Sequence, residues 1–383
     1  MKYGSSILVL ALVTACLSGC SIFSADDEIE PAKLQKIQQQ VELTTLWSAR
    51  SASSNNHFWA NLQMAVSAVS LFTADHSGSI VASDLKNGQP QWSVDLDLPI
   101  SGGLGYGDQK LVFGTIEGQI YVLNASDGGL LWSADVSSEV LSSPAVNSKI
   151  VVAQSIDNRL YAFDAKTGEE LWQHDAGAPI LSVRGNSSSM ILNNMVISAF
   201  DNGKLIAFNA DNGALLWETR LALPKGRTEL ERMIDIDGQP ILVDDIIYSV
   251  SYQGRLGALT RGTGRNLWFQ DSSSHHSPAH SRGRLFVTEA KNHVVRAFKA
   301  GNGEELWNNN QLEYRQLTGP ATLGNSVAVA DAEGYIHLLD ADTGEFVGRT
   351  KVGGGGVSAD LLVVDQTLLV QSNNGLISAF KIQ

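Results

Sequence analysis

The pattern of hydrophobic and polar positions repeats along most of the chain. In the clearest copy, the apolar runs IVVAQS, RLYAFDA and ELWQHDA follow one another between Ile150 and Ala176. They are rich in Val, Ile and aromatic residues, and the polar turns between them contain Asn or Gly, which is typical of strands joined in hairpins. The run SSPAVNS before them adds a fourth strand. Each unit therefore predicts a small antiparallel sheet, and no helical period competes with this reading.

The sequence Gly-x-x-x-Trp ends most units and measures the repeat. Its Trp positions are Trp92, Trp132, Trp172, Trp217, Trp268 and Trp307. A seventh copy, GEFVG, has Gly348 where the others have Trp. Four strands in about 42 residues is the size of a propeller blade. We predict an all-β, eight-bladed β-propeller of four-stranded antiparallel blades, in which the repeated Trp packs between blades and does not stack on a ligand.

Two incomplete units at the chain ends indicate how the ring closes. Trp47 follows TTL with no complete unit before it, and the chain ends in NNGLISAF with no Trp after it. Together these halves make one blade. We therefore predict that the N-terminal strand around Leu46 and Trp47 pairs with the C-terminal blade.

The N-terminus resembles that of a bacterial lipoprotein. A Lys and an apolar run precede Leu17-Ser18-Gly19-Cys20, which resembles a lipobox. The resemblance implies a signal peptide at 1–19, acylation of Cys20, including palmitate, and a polar tether at 20–43 before a propeller at 44–383. Ser21 in place of Asp implies the periplasmic face of the outer membrane. Leu34, Ile37 and Val41 lie at helical spacing and suggest a turn or two of helix in the tether.

Composition and motifs argue against nucleic-acid binding and catalysis. The net charge of −13 lacks the basic excess that phosphate binding needs. His275, His276 and His280 are close enough to suggest zinc or copper, but no acidic or Cys partner lies at ligand spacing. The pairs Asp95/Asp97 and Asp235/Asp237 supply too few oxygens for calcium. No G-x-S-x-G nucleophile elbow is present. We expect no metal, no cofactor and no enzymatic activity.

Two consecutive units are longer than the others. Trp172 and Trp217 are 45 residues apart and Trp217 and Trp268 are 51 apart, against 40 in the regular units. The excess lies in the connections at 178–189 and 222–240, which should be neighbours on one rim. They bring together basic, acidic and apolar residues, a mixture typical of a protein-docking surface. The side chains concerned are Leu181, Val183, Arg184, Arg227, Glu229, Arg232, Met233, Asp235 and Asp237. The alternative is that the charges pair with each other and only fix the loops.

Leader, lipobox, tether and Trp-containing blades together resemble the BamB family, the propeller lipoproteins of the bacterial outer-membrane β-barrel assembly machinery. The most specific segments are LSVRG at 181–185, RTELERMIDID at 227–237 and DAEGYIHLLD at 331–340. The resemblance implies a non-catalytic scaffold that docks on the periplasmic domains of the central subunit BamA and assists outer-membrane protein insertion. It implies docking through Leu181, Val183, Arg184, Asp235 and Asp237, with Val183 standing where related sequences carry Leu.

Two other functions remain open from the sequence. The repeat also resembles that of pyrroloquinoline-quinone dehydrogenases, which need a calcium and quinone site and often have a vicinal Cys pair. Cys16 and Cys20 are the only cysteines here, and no calcium cluster is recognisable. The propeller could also bind unfolded outer-membrane protein precursors directly, at exposed strand edges or at a rim groove.

Overall fold

A computed structural model gives the fold and describes residues 30–50, 62–179, 181, 185–223, 227–228 and 230–383. It confirms an eight-bladed propeller in which each blade is a four-stranded antiparallel sheet. The described residues contain no helix, and so no helix that could span a bilayer. Cys20, Val183, Arg184 and Glu229 lie outside the described residues.

Blades 1 to 4 follow the chain in order, with the innermost strand first. Their strands are β2 (Ala65–Val66), β3 (Ser70–Ala74), β4 (Ser79–Asp84) and β5 (Pro90–Asp95); β6 (Gly105–Gly107), β7 (Lys110–Gly114), β8 (Gln119–Asn124) and β9 (Leu130–Asp135); β10 (Ala145–Val146), β11 (Ile150–Gln154), β12 (Arg159–Asp164) and β13 (Glu170–Asp175); β14 (Met190–Leu192), β15 (Met195–Ala199), β16 (Lys204–Asn209) and β17 (Leu215–Arg220).

Blades 5 to 7 repeat this order, and blade 8 joins the two ends of the chain. Their strands are β18 (Ile241–Val243), β19 (Ile246–Val250), β20 (Arg255–Thr260) and β21 (Asn266–Asp271); β22 (Ala279–Ser281), β23 (Arg284–Thr288), β24 (Val295–Lys299) and β25 (Glu305–Asn309); β26 (Ala321–Leu323), β27 (Ser326–Ala330), β28 (Tyr335–Asp340) and β29 (Phe346–Lys351); and β30 (Leu362–Val364), β31 (Thr367–Gln371), β32 (Leu376–Ile382) and β1 (Leu43–Arg50).

Blade 8 confirms the predicted closure of the ring. Strand β1 pairs antiparallel with β32, from Leu43 opposite Ile382 to Arg50 opposite Leu376. The first described strand of the chain is thus the outermost strand of the blade that contains the C-terminus. A β-ladder between the two ends of the chain means that blade 8 cannot form until both ends have been ordered.

The repeated Trp joins each blade to the next. The indole of Trp132 packs so closely on Gly168 of blade 3 that a Cβ there would lie 2.7 Å from the ring. Its Nε1 donates to the carbonyl of Ala165 at 3.1 Å. Equivalent bonds from the indole to a backbone carbonyl of the following blade recur at Trp47, Trp92, Trp172, Trp217, Trp268 and Trp307. The structure therefore supports the packing role predicted for these residues.

The hydrophobic core is divided among the spaces between blades. Ile120 and Val122 of blade 2, for example, pack with Val151 and Phe163 of blade 3 in one buried cluster. Each blade is a sheet with two apolar faces, and only its two neighbours can cover them. A closed ring therefore leaves no terminal blade with an uncovered face.

Blade 7 differs because a segment of the chain covers its outer edge. Residues 30–42, here called the tether segment, run beside β29 without forming the helical turn suggested by the sequence. The N–H groups of Gln40 and Val41 both donate to the carbonyl of Val347, at 2.8 and 2.9 Å. A Cβ added to Gly348 would lie 2.5 Å from the carbonyl oxygen of Val41. The missing Trp of the seventh unit is thus replaced by the backbone of the tether segment.

Candidate functional site

The two long connections meet on one rim of the propeller, as predicted. Gly185 of the first connection lies so close to Asp237 of the second that a Cβ would sit 2.3 Å from the Asp237 Oδ1. The Ser187 hydroxyl donates to the carbonyl of Gly238 at 3.2 Å. Both connections run from the outermost strand of one blade to the innermost strand of the next. Their inner ends therefore meet near the propeller axis.

The second connection has a rigid base. The backbone of Asp235 bridges to blade 5, where the Tyr252 N–H donates to the Asp235 carbonyl at 2.7 Å. On either side of Asp235, Ile234 and Ile236 are buried, and Ile236 belongs to the core cluster between blades 4 and 5. The segment that contains the predicted acidic pair is therefore part of the packed structure and not a loose loop.

Asp235 itself is completely buried. Burial, followed by the charges of Asp237 and Asp201, raises the pKa of Asp235 to about 10. The Asp201 side chain is hydrogen-bonded to it. At neutral pH this carboxyl therefore holds a proton that it can donate to Asp201. In this conformation the side chain of Asp235 lies beneath the exposed surface of the connection.

Asp237 lies at the inner edge of the same connection and remains partly exposed. Its Oδ2 is 3.1 Å from the Nδ1 of His275, and the His275 ring stacks on Tyr252 with centroids 4.2 Å apart. The other oxygen, Oδ1, is buried and has no hydrogen-bond partner among the described residues. His275 thus holds one oxygen of this carboxylate, and the other oxygen can still accept a hydrogen bond from outside the part of the chain that the structure describes.

The exposed part of the rim is largely apolar. Leu181 on the first connection is 44% exposed, and on the second connection Leu223 is 56% and Leu230 is 67% exposed. Arg232 is also exposed. The docking patch is defined here as these four residues with Asp237. Sequence reasoning missed Leu223 and Leu230, because an isolated Leu in a long connection gives no signal of whether it is buried.

The outer end of the second connection is shaped by a capping arrangement. The Glu231 carboxylate accepts hydrogen bonds from the N–H groups of Arg227 and Thr228, at 2.6 and 3.2 Å. The Thr228 hydroxyl accepts the N–H of Glu231 in return, as in the capping box that begins a helix. These backbone bonds hold the pKa of Glu231 below its usual range. Leu230 and Arg232 thus flank a residue whose backbone is fixed.

The three predicted histidines separate into different environments. His276 pairs with Asp360 of blade 8 at 2.8 Å. Burial opposes its charge, but the Asp360 carboxylate raises the pKa of His276 overall. His280 stacks near Tyr248, and burial lowers its pKa. Among the described residues, no group of three His, Cys, Asp or Glu side chains could hold a metal ion.

A polar cavity of about 290 Å³ opens at the axis, beside the docking patch. Its wall comes from the connections that enter seven blades, and the acidic and His side chains described in it form two pairs, Asp237 with His275 and Asp360 with His276. Asn186 is 8% exposed, and neither of its amide atoms has a hydrogen-bond partner within the described ranges of the chain. The described part of this wall provides no set of calcium ligands for a quinone enzyme.

The chain matches known proteins over almost its whole length. A family model described as outer membrane protein assembly factor BamB matches residues 76–309 and 290–383. The protein of that name from Pseudomonas aeruginosa is 42% identical over 99% of this chain and 98% of its own. That from Escherichia coli is 31% identical over 98% and 99%.

Solved structures agree with this match. The crystal structure of BamB from Moraxella catarrhalis covers 89% of this chain and 100% of its own, with a TM-score of 0.82 and 29% identity. A quinohemoprotein alcohol dehydrogenase from Comamonas testosteroni covers 88% of this chain and 76% of its own, with a TM-score of 0.67 but only 14% identity. The second similarity shows the propeller fold alone, so it does not support the dehydrogenase alternative.

Proposed function

We propose that the chain, which belongs to the BamB family of outer membrane protein assembly factors, acts as a docking scaffold. Its role is the assembly of outer-membrane proteins and not catalysis. The proposed partner is the central subunit BamA, through its periplasmic domains. The proposed contact surface is the docking patch.

The observation that carries this proposal is that exposed apolar side chains lie on a connection whose backbone is fixed to blade 5. Leu181, Leu223 and Leu230 offer apolar surface that a partner could remove from water. Beneath them, the bridge from Asp235 to Tyr252 orders the connection before any partner arrives. A preordered surface loses little conformational entropy on binding, and this favours affinity.

We also propose that Cys20 carries the lipid anchor, on the periplasmic face of the outer membrane. The support is the sequence Leu17-Ser18-Gly19-Cys20. Replacing Cys20 by Ala should abolish incorporation of labelled palmitate and release the protein from the membrane fraction. Continued labelling of the Cys20→Ala protein would contradict the assignment.

Docking can be tested by co-purification of BamA with variants of the rim. Asp237→Ala and Arg184→Ala should each reduce the amount of BamA recovered, because the first removes a carboxylate of the docking patch and the second removes a cation that the sequence predicts for the same surface. Leu306→Ala is a control away from the rim, since Leu306 is 41% exposed and lies on the outermost strand of blade 6. A double rim variant that recovers BamA as well as the control would refute the docking site.

Photo-crosslinking in membranes tests the same surface without relying on affinity. A photoreactive residue at Leu181 or Arg232 should crosslink to BamA, because both side chains are exposed on the patch. One at Leu306 should not. Asp235 is unsuitable for this experiment, since its side chain is fully buried.

A further inference from the structure

The outermost strands of the blades share a β-bulge, and the residue at its centre is mostly Leu. In blade 3, for example, Ala162 pairs with Trp172 and Phe163 with Glu170, so that Leu171 has no partner. Here it is called the bulge residue. It is Leu in blades 2 to 6 and 8, Gln in blade 1 and Val in blade 7: Leu131, Leu171, Leu216, Leu267, Leu306, Leu46, Gln91 and Val347.

These equivalent positions differ in exposure for one visible reason. The six bulge leucines are between 41% and 50% exposed, whereas Val347 is only 7% exposed. Val347 is the residue whose carbonyl accepts two N–H groups of the tether segment, and Leu34 and Val41 of that segment pack on the neighbouring apolar clusters. Blade 7 thus shows an extended polypeptide bound over the bulge, and the other blades show the same position uncovered.

We propose that the uncovered outer edges of blades 2 to 6 bind extended polypeptide segments with apolar side chains, in the way that blade 7 binds the tether segment. Each edge offers a half-exposed Leu to cover and a strand edge to hydrogen-bond, which are the two elements of strand addition. The proposal concerns the circumference of the ring and not the docking patch. It can therefore fail while docking stands.

The β-bulge limits the number of hydrogen bonds that a bound polypeptide can make with the edge strand. A regular edge strand would extend its ladder along the whole incoming chain and favour irreversible aggregation. A bulge interrupts the ladder. Among the described residues, the backbone bonds from the tether segment to β29 are those of Gln40 and Val41, both at the Val347 carbonyl, and the Arg349 side chain adds one bond to the carbonyl of Gln35. A contact that involves so few residues is weak and reversible when it is made at one edge alone. Several edges around one ring could hold different parts of one unfolded chain together.

A flat membrane is a poorer fit to this surface than a polypeptide. The bulge leucines lie on the outer strands of successive blades, so they face outward in different directions around the ring. One bilayer surface could contact only those on one side. A flexible extended chain can reach several of them in turn.

The test uses the whole mature protein and a fluorescent peptide about ten residues long, the length of a membrane-spanning β-strand, with alternating Val and Thr. Fluorescence anisotropy should show binding that weakens roughly tenfold or more when all five bulge leucines of blades 2 to 6 are changed to Ser. Gln91→Ser is the matched control at the same position of blade 1, and Asp237→Ala controls for the docking patch. Both should bind the peptide normally.

A second measurement covers the case in which the five-fold variant does not fold. A photoreactive residue at Leu171 should crosslink to the peptide, and one at Gln91 should do so far less. Equal crosslinking at the two positions, or unchanged affinity of a folded five-fold variant, would overturn the proposal. Binding of phospholipid vesicles, instead of peptide, that is lost in the five-fold variant would overturn it in favour of a membrane surface.

Discussion

Replacement of Asp235 by Asn should stabilise the protein, and increasingly so as the pH rises. The carboxyl has an ordinary pKa of 3.8 and a pKa of about 10 in the folded protein. Between these values the folded state binds a proton that the unfolded state lacks, so its stability decreases with increasing pH. Asn is neutral at every pH, has nearly the same shape and can still donate a hydrogen bond to Asp201. The substitution therefore removes the free-energy cost of keeping residue 235 protonated in the folded state.

The size of the effect follows from the two pKa values. Each pH unit above the unfolded pKa corresponds to about 1.4 kcal/mol, which gives up to about 1.5 kcal/mol at pH 5 and about 4 kcal/mol at pH 7. Urea unfolding of the wild type and Asp235→Asn at several pH values between 5 and 9 measures this difference. The gain in stability of the variant should rise throughout that range.

Two controls separate proton linkage from other causes. Asp201→Asn should reduce the pH dependence of stability only in part, because burial and the charge of Asp237, which raise the pKa of Asp235 more than Asp201 does, both remain. Asp235→Ala should be less stable than Asp235→Asn, because it leaves Asp201 without this hydrogen-bond partner. A stability difference between Asp235→Asn and the wild type that does not change with pH, or a variant less stable than the wild type at pH 8, would refute the reasoning.

Three further predictions concern the ring and its tether segment. Gly348→Trp, which restores the repeat, should displace the tether segment, because even a Cβ would lie 2.5 Å from the Val41 carbonyl; faster hydrogen exchange at residues 34–42 would show it. Arg315→Met should cost about 3 kcal/mol in urea unfolding, because the buried Asp331 loses its ion pair with Arg315 and keeps only its hydrogen bonds with His337 and backbone N–H groups, and because the tether segment loses a hydrogen bond to Arg315; Lys at this position should recover part of the loss. Gly168→Ala should lower the melting temperature, because Gly168 has a φ of +75° and faces the indole of blade 2; an unchanged melting temperature would contradict this contact.

The fold could be predicted from the sequence because each blade repeats the same turn and strand signals. The turn before Trp172 is an example, in which the Asp164 carboxylate accepts the N–H groups of Lys166 and Thr167 and Gly168 supplies the positive φ. Such signals act within a few residues. Their regular spacing was therefore sufficient to predict the number of blades and the closure through β1.

The partners of the polar residues could not be predicted in the same way. His276 and Asp360 are neighbours only because the ring brings blades 6 and 8 to a common axis, and Arg315 binds Ala32 only because the tether segment returns to blade 7. No periodicity in the sequence marks these pairs. The sequence shows that Gly348 stands where the other units have Trp. It does not show the reason, which is that the carbonyl of Val41, 307 residues away in the sequence, occupies the space of a side chain.

The pair Asp235 and Asp237 shows that local sequence does not predict which of two nearby side chains is buried. The sequence marks the long connection as the exceptional part of the chain, and it gives Asp235 and Asp237 the same predicted docking role because both lie in that connection and in the segment that resembles the BamB family. The structure packs that segment between the core and the axis, so that Asp235 is buried beside Asp201 while Asp237 reaches the cavity. If docking depends on charge at the surface, Asp237→Asn should weaken recovery of BamA, whereas Asp235→Asn should leave it intact and only make the patch more stable. The opposite result would mean that the connection opens when the partner binds.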